Sequence, residues 1–173
     1  MRISNIIPTT LIAFFVVVAG SLAQNLSTLN TPLETPDGTQ TSLAEIGEGK
    51  VIIVSYGATW CVPCKKEMQA VNNIYDSLQA HGIEYVAVFI DNTKTMSKVG
   101  PYVNAKKFKF PVLLDPSQET FEAVNGTEVP YALIYDQNGE LKFKHDGYFE
   151  GDEEHLMEEA VSLIEGTETG DSE

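Results

Sequence analysis

The sequence predicts an α/β domain: a central mixed β-sheet flanked by helices, with an N-terminal β extension and a central insertion. Two continuous apolar runs, residues 51–56 (Val-Ile-Ile-Val-Ser-Tyr) and 84–90 (Glu-Tyr-Val-Ala-Val-Phe-Ile), have the pattern of strands buried on both faces of a parallel sheet. Between them one apolar stripe at three-and-four spacing gives a β-α-β order, and an Asn138-Gly139 turn between two later apolar runs adds an antiparallel hairpin. Parallel and antiparallel strands in one chain make the sheet mixed. A chain of 173 residues, 43% hydrophobic, suffices for one such core and not for two comfortable ones.

Residues 1–23 are expected to lie outside the domain. Arg2, an apolar run at 11–19 and Ser21-Leu22-Ala23 read as the three regions of a secretory signal peptide cleaved after Ala23. An uncleaved N-terminal membrane anchor is the alternative, but the run is shorter than the ~20 residues that span a bilayer. Export takes a chain to the periplasm or outside the cell, where disulfides persist.

The domain is expected over 24–165. Residues 25–49 are polar and rich in Thr, Pro and Gly, with short edge strands around Pro36-Asp37-Gly38. Strand 51–56 ends at Gly57. The following helix carries Cys64, Met68, Val71, Tyr75 and Leu78 on one stripe and stops at His81-Gly82. After strand 84–90 come a weaker helix at 97–108, which Gly100-Pro101 either starts or breaks, a short strand at 110–114 and a short helix at 117–124. Strand 129–135, the turn 136–140 and strand 141–145 form the hairpin. A final amphipathic helix, 152–164, places Leu156, Ala160, Val161 and Ile164 inward, and 166–173 reads as an acidic flexible tail.

Charge excludes some partners. With 11 Lys and Arg against 25 Asp and Glu the net charge is −14, so the cationic footprint that nucleic acid requires is missing. Ten of the carboxylates fall between Glu150 and Glu173, a stretch with no Lys or Arg. The body of the chain is only mildly acidic.

The chemistry concentrates at Trp60-Cys61-Val62-Pro63-Cys64, where a buried strand gives way to a helix start. Unpaired backbone amides and the macrodipole there favour an anion, so the Cys61 thiolate is stabilised. Cys64 lies nearly one turn on, within disulfide reach but on the core-facing stripe. Cys61 is thus expected to be presented and Cys64 protected. Pro63 is tolerated because its missing N–H falls in the first turn. A purely structural disulfide is a poor alternative, since so short a loop returns only about 2 kcal/mol against ~4.7 for a hundred-residue loop. A copper or zinc carrier is the other alternative, with His81, His145 and His155 the further soft ligands, none at zinc-ligand spacing from the pair. A peroxidase reading is weakened by the CxxC partner of the reactive cysteine.

The run Tyr56-Gly57-Ala58-Thr59-Trp60-Cys61-Val62-Pro63-Cys64-Lys65-Lys66-Glu67-Met68, with Val129-Pro130 further on, resembles the exported thioredoxin-like proteins of the TlpA and ResA type, over about residues 33–164. The resemblance implies a thioredoxin fold with the insertion between its βαβ and ββα units. It also implies a thiol-disulfide oxidoreductase acting on extracytoplasmic protein thiols or disulfides, supplied by a membrane-bound electron donor. No cofactor, metal or nucleic acid is implied, and a monomer is expected.

Carried over by position, Cys61 is the attacking thiolate and Cys64 the resolving thiol. Pro130 is the cis-proline facing them, beside which the Val129 backbone pairs with an extended substrate, Trp60 and Pro63 bordering the same groove. An ordinary trans proline is the alternative reading of Pro130. Glu67 matches an acid-base group of the ResA type, while its local context beside Lys65 and Lys66 also fits a solvated surface residue. Thioredoxins proper carry a buried Asp where this chain has Ser55, which leaves proton transfer to Glu67. Tyr131, where Thr is common, and Gly57-Ala58-Thr59, where a bulky aromatic is common, are expected to border the groove and bear on the partner.

Overall fold

A computed structural model describes residues 25–168; the expected signal segment 1–23 and residues 169–173 of the tail lie outside the described residues. Among these residues seven strands form one sheet: β1 (Leu33–Glu34), β2 (Gln40–Thr41), β3 (Val51–Gly57), β4 (Ile83–Phe89), β5 (Val112–Leu114), β6 (Tyr131–Tyr135) and β7 (Leu141–Asp146). Among the described residues five α-helices accompany them: α1 (Leu43–Ile46), α2 (Val62–Ala80), α3 (Val99–Lys106), α4 (Glu119–Ala123) and α5 (Asp152–Glu168). The strand order is β2-β1-β5-β4-β3-β6-β7. Strands β5, β4 and β3 run parallel, and β6, β7, β1 and β2 pair antiparallel to their neighbours, so the sheet is mixed as the sequence predicts.

All seven residues of β3 are buried because both faces of the sheet are covered. Alternation divides them. Ile52, Val54 and Tyr56 join a core with Leu26, Leu43, Phe121 and Val124, beneath α1 and α4. Val51 and Ile53 face the opposite core, with Met68, Val71 and Leu78 of α2, Val99 of α3, and Leu156 and Ala160 of α5. Full burial of one such aliphatic side chain stabilises by about 1.5–3 kcal/mol.

Helix α2 places Cys64, Met68, Val71, Tyr75 and Leu78 inward, and Glu67 with them. It stops at His81, after which Gly82 adopts φ +74°, a conformation that favours glycine. In the insertion Gly100 and Pro101 sit in the first turn of α3, so they start the helix rather than break it. The hairpin turn is held by Asp136, whose Oδ1 accepts from the amides of Asn138 and Glu140 at 2.9 Å each. A register shift between Ile134 and Tyr135 lets Leu141 and Phe143 of β7 pack on opposite cores.

Local expectations differ from the structure at several points, among them the strand expected at 110–114, which begins only at Val112, after Pro111. The polar 25–49 stretch contains α1, which begins where the Ser42 hydroxyl accepts from the Glu45 amide; one turn of helix is too short to show periodicity. The strand expected at 129–135 begins only at Tyr131, because Pro130 has no N–H for a ladder. Helix α5 continues past Ile164 to Glu168, four residues beyond its last apolar position, as elongation of an existing helix costs little.

Candidate active site

Cys61 is the N-cap of the 19-residue helix α2, in extended backbone conformation, and its Sγ accepts from the Cys64 amide at 3.1 Å. The two cysteines form a disulfide with Cα atoms 5.4 Å apart. The helix therefore directs its unpaired amides at the first sulfur, an arrangement that stabilises a thiolate there once the bond is reduced. Cys61 is 5% exposed and Cys64 1%, so the contrast between presented and protected sulfur is small in the disulfide form. Around Cys61 the rim is open: Trp60 and Val62 are each 58% exposed, and Pro63 is exposed as well.

Gly57, the last residue of β3, makes the close approach of this helix possible. A Cβ there would stand 2.7 Å from Met68 Cε and 3.1 Å from Cys64 Cβ. Its smallness is thus a packing requirement beneath the pair and not a feature of a substrate groove. Tyr131 is likewise turned inward, 5% exposed, its ring edge-on to Phe121 and its hydroxyl donating to the Val124 carbonyl at 3.4 Å. Neither residue has the groove-bordering place expected of it.

Strand β6 runs antiparallel beside β3, pairing Tyr131 with Tyr56, and so carries the residues before it to the start of α2. The Val129–Pro130 peptide is cis, and the Val129 carbonyl oxygen lies 3.6 Å from Cys61 Sγ. Pro130 is buried, Val129 half-buried, and the Pro130 carbonyl accepts from the Gly147 amide at 2.9 Å, tying this segment to the end of β7.

Glu67 is not a solvated helix residue. It is 1% exposed, one turn below Cys64, and its Oε1 accepts from Ser55 Oγ at 2.5 Å and from the Tyr85 hydroxyl at 3.1 Å. Among the described residues its Oε2 has no hydrogen-bond partner. Burial pushes its carboxyl up to about 7, against the opposing pull of the two hydroxyls, with His145 lowering it and Asp152 raising it to smaller extents. Ser55, Ala132 and His145 occupy one row across β3, β6 and β7; His145 Nε2 lies 2.9 Å from Asp152 Oδ2. A carboxyl that titrates near neutrality under a resolving cysteine can accept and return a proton.

One contact has no counterpart in the motif reading. Asp91, immediately after β4 and Ile90, is fully buried and accepts from the Thr59 amide (2.7 Å, Oδ2) and the Thr59 hydroxyl (2.6 Å, Oδ1). Its partner lies 32 residues earlier in the chain, so no local spacing announces it. Among the described residues no group of three or more His, Cys, Asp or Glu side chains is arranged to hold a metal ion. No helix among them is long and apolar enough to cross a membrane.

Residues 22–144 match the AhpC/TSA family. The chain is 26% identical over 149 residues to the thiol-disulfide oxidoreductase ResA of Bacillus subtilis, covering 86% of this chain and 80% of that one. Among solved structures it resembles StoA from Bacillus subtilis (TM-score 0.63, 25% identity, 74% of this chain and 93% of that one). A crystal structure of a protein described as thiol:disulfide interchange protein DsbE, from Chlorobium tepidum, shares the fold at TM-score 0.70 and 22% identity, over 78% of this chain and 93% of that one. With a mixed sheet of thioredoxin type, a cysteine pair capping its first long helix and these relatives, the chain belongs to the AhpC/TSA family and is a thiol-disulfide oxidoreductase of the TlpA/ResA type.

Proposed function

We propose that the protein is an extracytoplasmic protein disulfide reductase in which Cys61 attacks and Cys64 resolves. The observation that carries this reading is the placement of Cys61 at the α2 N-cap, its sulfur 3.1 Å from the Cys64 amide and 3.6 Å from the Val129 carbonyl, with Glu67 buried one turn behind. The Cys61 thiolate attacks one sulfur of a partner disulfide, the partner S–S bond breaks, and one partner thiolate leaves. Glu67 takes the Cys64 proton, and the Cys64 thiolate attacks Cys61 Sγ, releasing the second partner thiolate and closing the 61–64 disulfide. Two electrons pass to the partner. A dithiol donor reverses the same steps on the enzyme; a membrane-bound donor fits a chain with the signal-like segment 1–23.

The substrate enters as an extended segment beside Val129 and Pro130, its flanking side chains resting on exposed Trp60 and Pro63. The enzyme works as a monomer. Reduction of insulin by wild type and by Cys61→Ser, each recycled by dithiothreitol, tests the reading. Turnover above the dithiothreitol background is expected from wild type alone, and equal rates from the two proteins refute it.

A further inference from the structure

Where β3 and β4 end side by side, the chain from β3 supplies the turn that presents Cys61 and the chain from β4 supplies a buried acid. Gly57 pairs with Phe89, and the Ile90 amide donates to the Gly57 carbonyl at 2.9 Å. One residue further on, the backbone turns over Ala58-Thr59-Trp60-Cys61, closed by the Cys61 amide donating to the Ala58 carbonyl at 3.1 Å. Asp91 grips this turn at its second residue, each carboxylate oxygen taking one donor of Thr59.

Asp91 has no Lys, Arg or His within ion-pair distance among the described residues. A fully buried carboxylate matched only by one amide and one hydroxyl is costly to retain for shape alone. Through Thr59 its charge is held against the turn that leads directly into the α2 N-terminus at Cys61. We infer that Asp91 is a positioning residue of the redox pair: it fixes the 58–61 turn that sets Cys61 at the helix N-cap, and its negative charge opposes the helix end, keeping the pair more reducing than the helix alone would make it.

The two effects act on one atom with opposite sign. Unpaired amides of α2 stabilise the Cys61 thiolate, with Lys65 and Lys66 in the following turn adding to them. Asp91, bonded to the turn two residues before Cys61, works against them, as does the Val129 carbonyl oxygen from β6. A unit charge about 10 Å from a thiolate changes its fraction by about twofold at the dielectric of water and by more than about tenfold at an effective dielectric of about 20. The inference rests on the proposed cycling of the Cys61/Cys64 pair and names a residue that tunes it.

Asp91→Asn separates charge from shape. The amide oxygen can still accept from the Thr59 amide, and the NH2 can donate to the Thr59 hydroxyl, so both contacts survive while the charge goes. Thr59→Val does the reverse: the carboxylate stays and loses one of its two donors, leaving its charge less compensated. The full chain is titrated against glutathione redox buffers, and the rate of Cys61 alkylation is followed against pH. Asp91→Asn is expected to alkylate at least about twofold faster below the thiol pKa and to become more oxidising. Thr59→Val is expected to shift both readouts the opposite way. Opposite shifts from two substitutions at one contact are not produced by loosening of the fold. Shifts in the same direction, or none in folded variants, overturn the assignment. A wild-type pair that does not cycle reversibly overturns the functional reading instead.

Discussion

Replacing Glu67 by Gln turns a buried titration into a measurable change in stability. In the folded protein the carboxyl titrates near 7, against the usual 4.5, because burial disfavours its charged form. Between those values the folded state holds a proton that the unfolded state has released, so stability is fully present below 4.5 and is lost as pH rises through 7. At about 1.4 kcal/mol per pH unit the whole interval is worth about 3 kcal/mol, of which about 2.5 kcal/mol falls between pH 5 and pH 8. Burial of 1% exposure leaves little solvent to screen the effect. Gln keeps the acceptor for Ser55 and Tyr85 and cannot ionise. Urea unfolding of the oxidised proteins at pH 5, 6, 7 and 8, in which neither cysteine titrates, is expected to show wild type losing about 2.5 kcal/mol relative to Glu67→Gln across that range. Parallel pH profiles for the two proteins would mean that burial does not raise the Glu67 carboxyl in the fold, leaving a carboxylate too weakly basic to take the Cys64 proton near neutral pH.

Three further substitutions probe the scaffold and the chemistry. Gly57→Ala puts a methyl 2.7 Å from Met68 Cε and 3.1 Å from Cys64 Cβ, and is expected to cost about 1–3 kcal/mol in urea unfolding. Leu156→Ala, at a 1% exposed position that docks α5 on the sheet, is expected to lose about 2–5 kcal/mol and to lower the melting temperature. Cys64→Ser leaves the attacking sulfur without its resolving partner, so a mixed disulfide through Cys61 is expected to persist on non-reducing gels with a disulfide-bonded protein substrate; absence of any adduct contradicts the assigned order of attack.

Glu67 shows how much of the site could be read in advance. It lies three residues after Cys64 and four before Val71, inside the apolar stripe of α2, and that spacing is the signal that it points inward. Lys65 and Lys66 beside it suggest solvent equally well, and only the presence of Ser55 and Tyr85 on neighbouring strands settles its burial. Asp91 carried no such signal: it is one acidic residue after a strand, and its role depends on β3 and β4 ending in register. Tyr131 and Gly57 look from the chain like groove residues, because a linear reading gives their distance from Pro130 and Cys61 but not the face on which they lie.

The β-α-β order, the hairpin and the cysteine pair at a helix start are legible in the chain, since these follow from apolar periodicity, turn chemistry and unpaired backbone amides within a few residues of each other. Charge and cysteine count were equally plain. Which acids are buried, which residues back Cys64 and how the Val129 carbonyl comes to lie beside Cys61 emerge from the folded sheet, since each depends on strands distant in sequence meeting in one register. Desolvation acts on a carboxyl through everything packed around it, and that surrounding exists only after the sheet has formed.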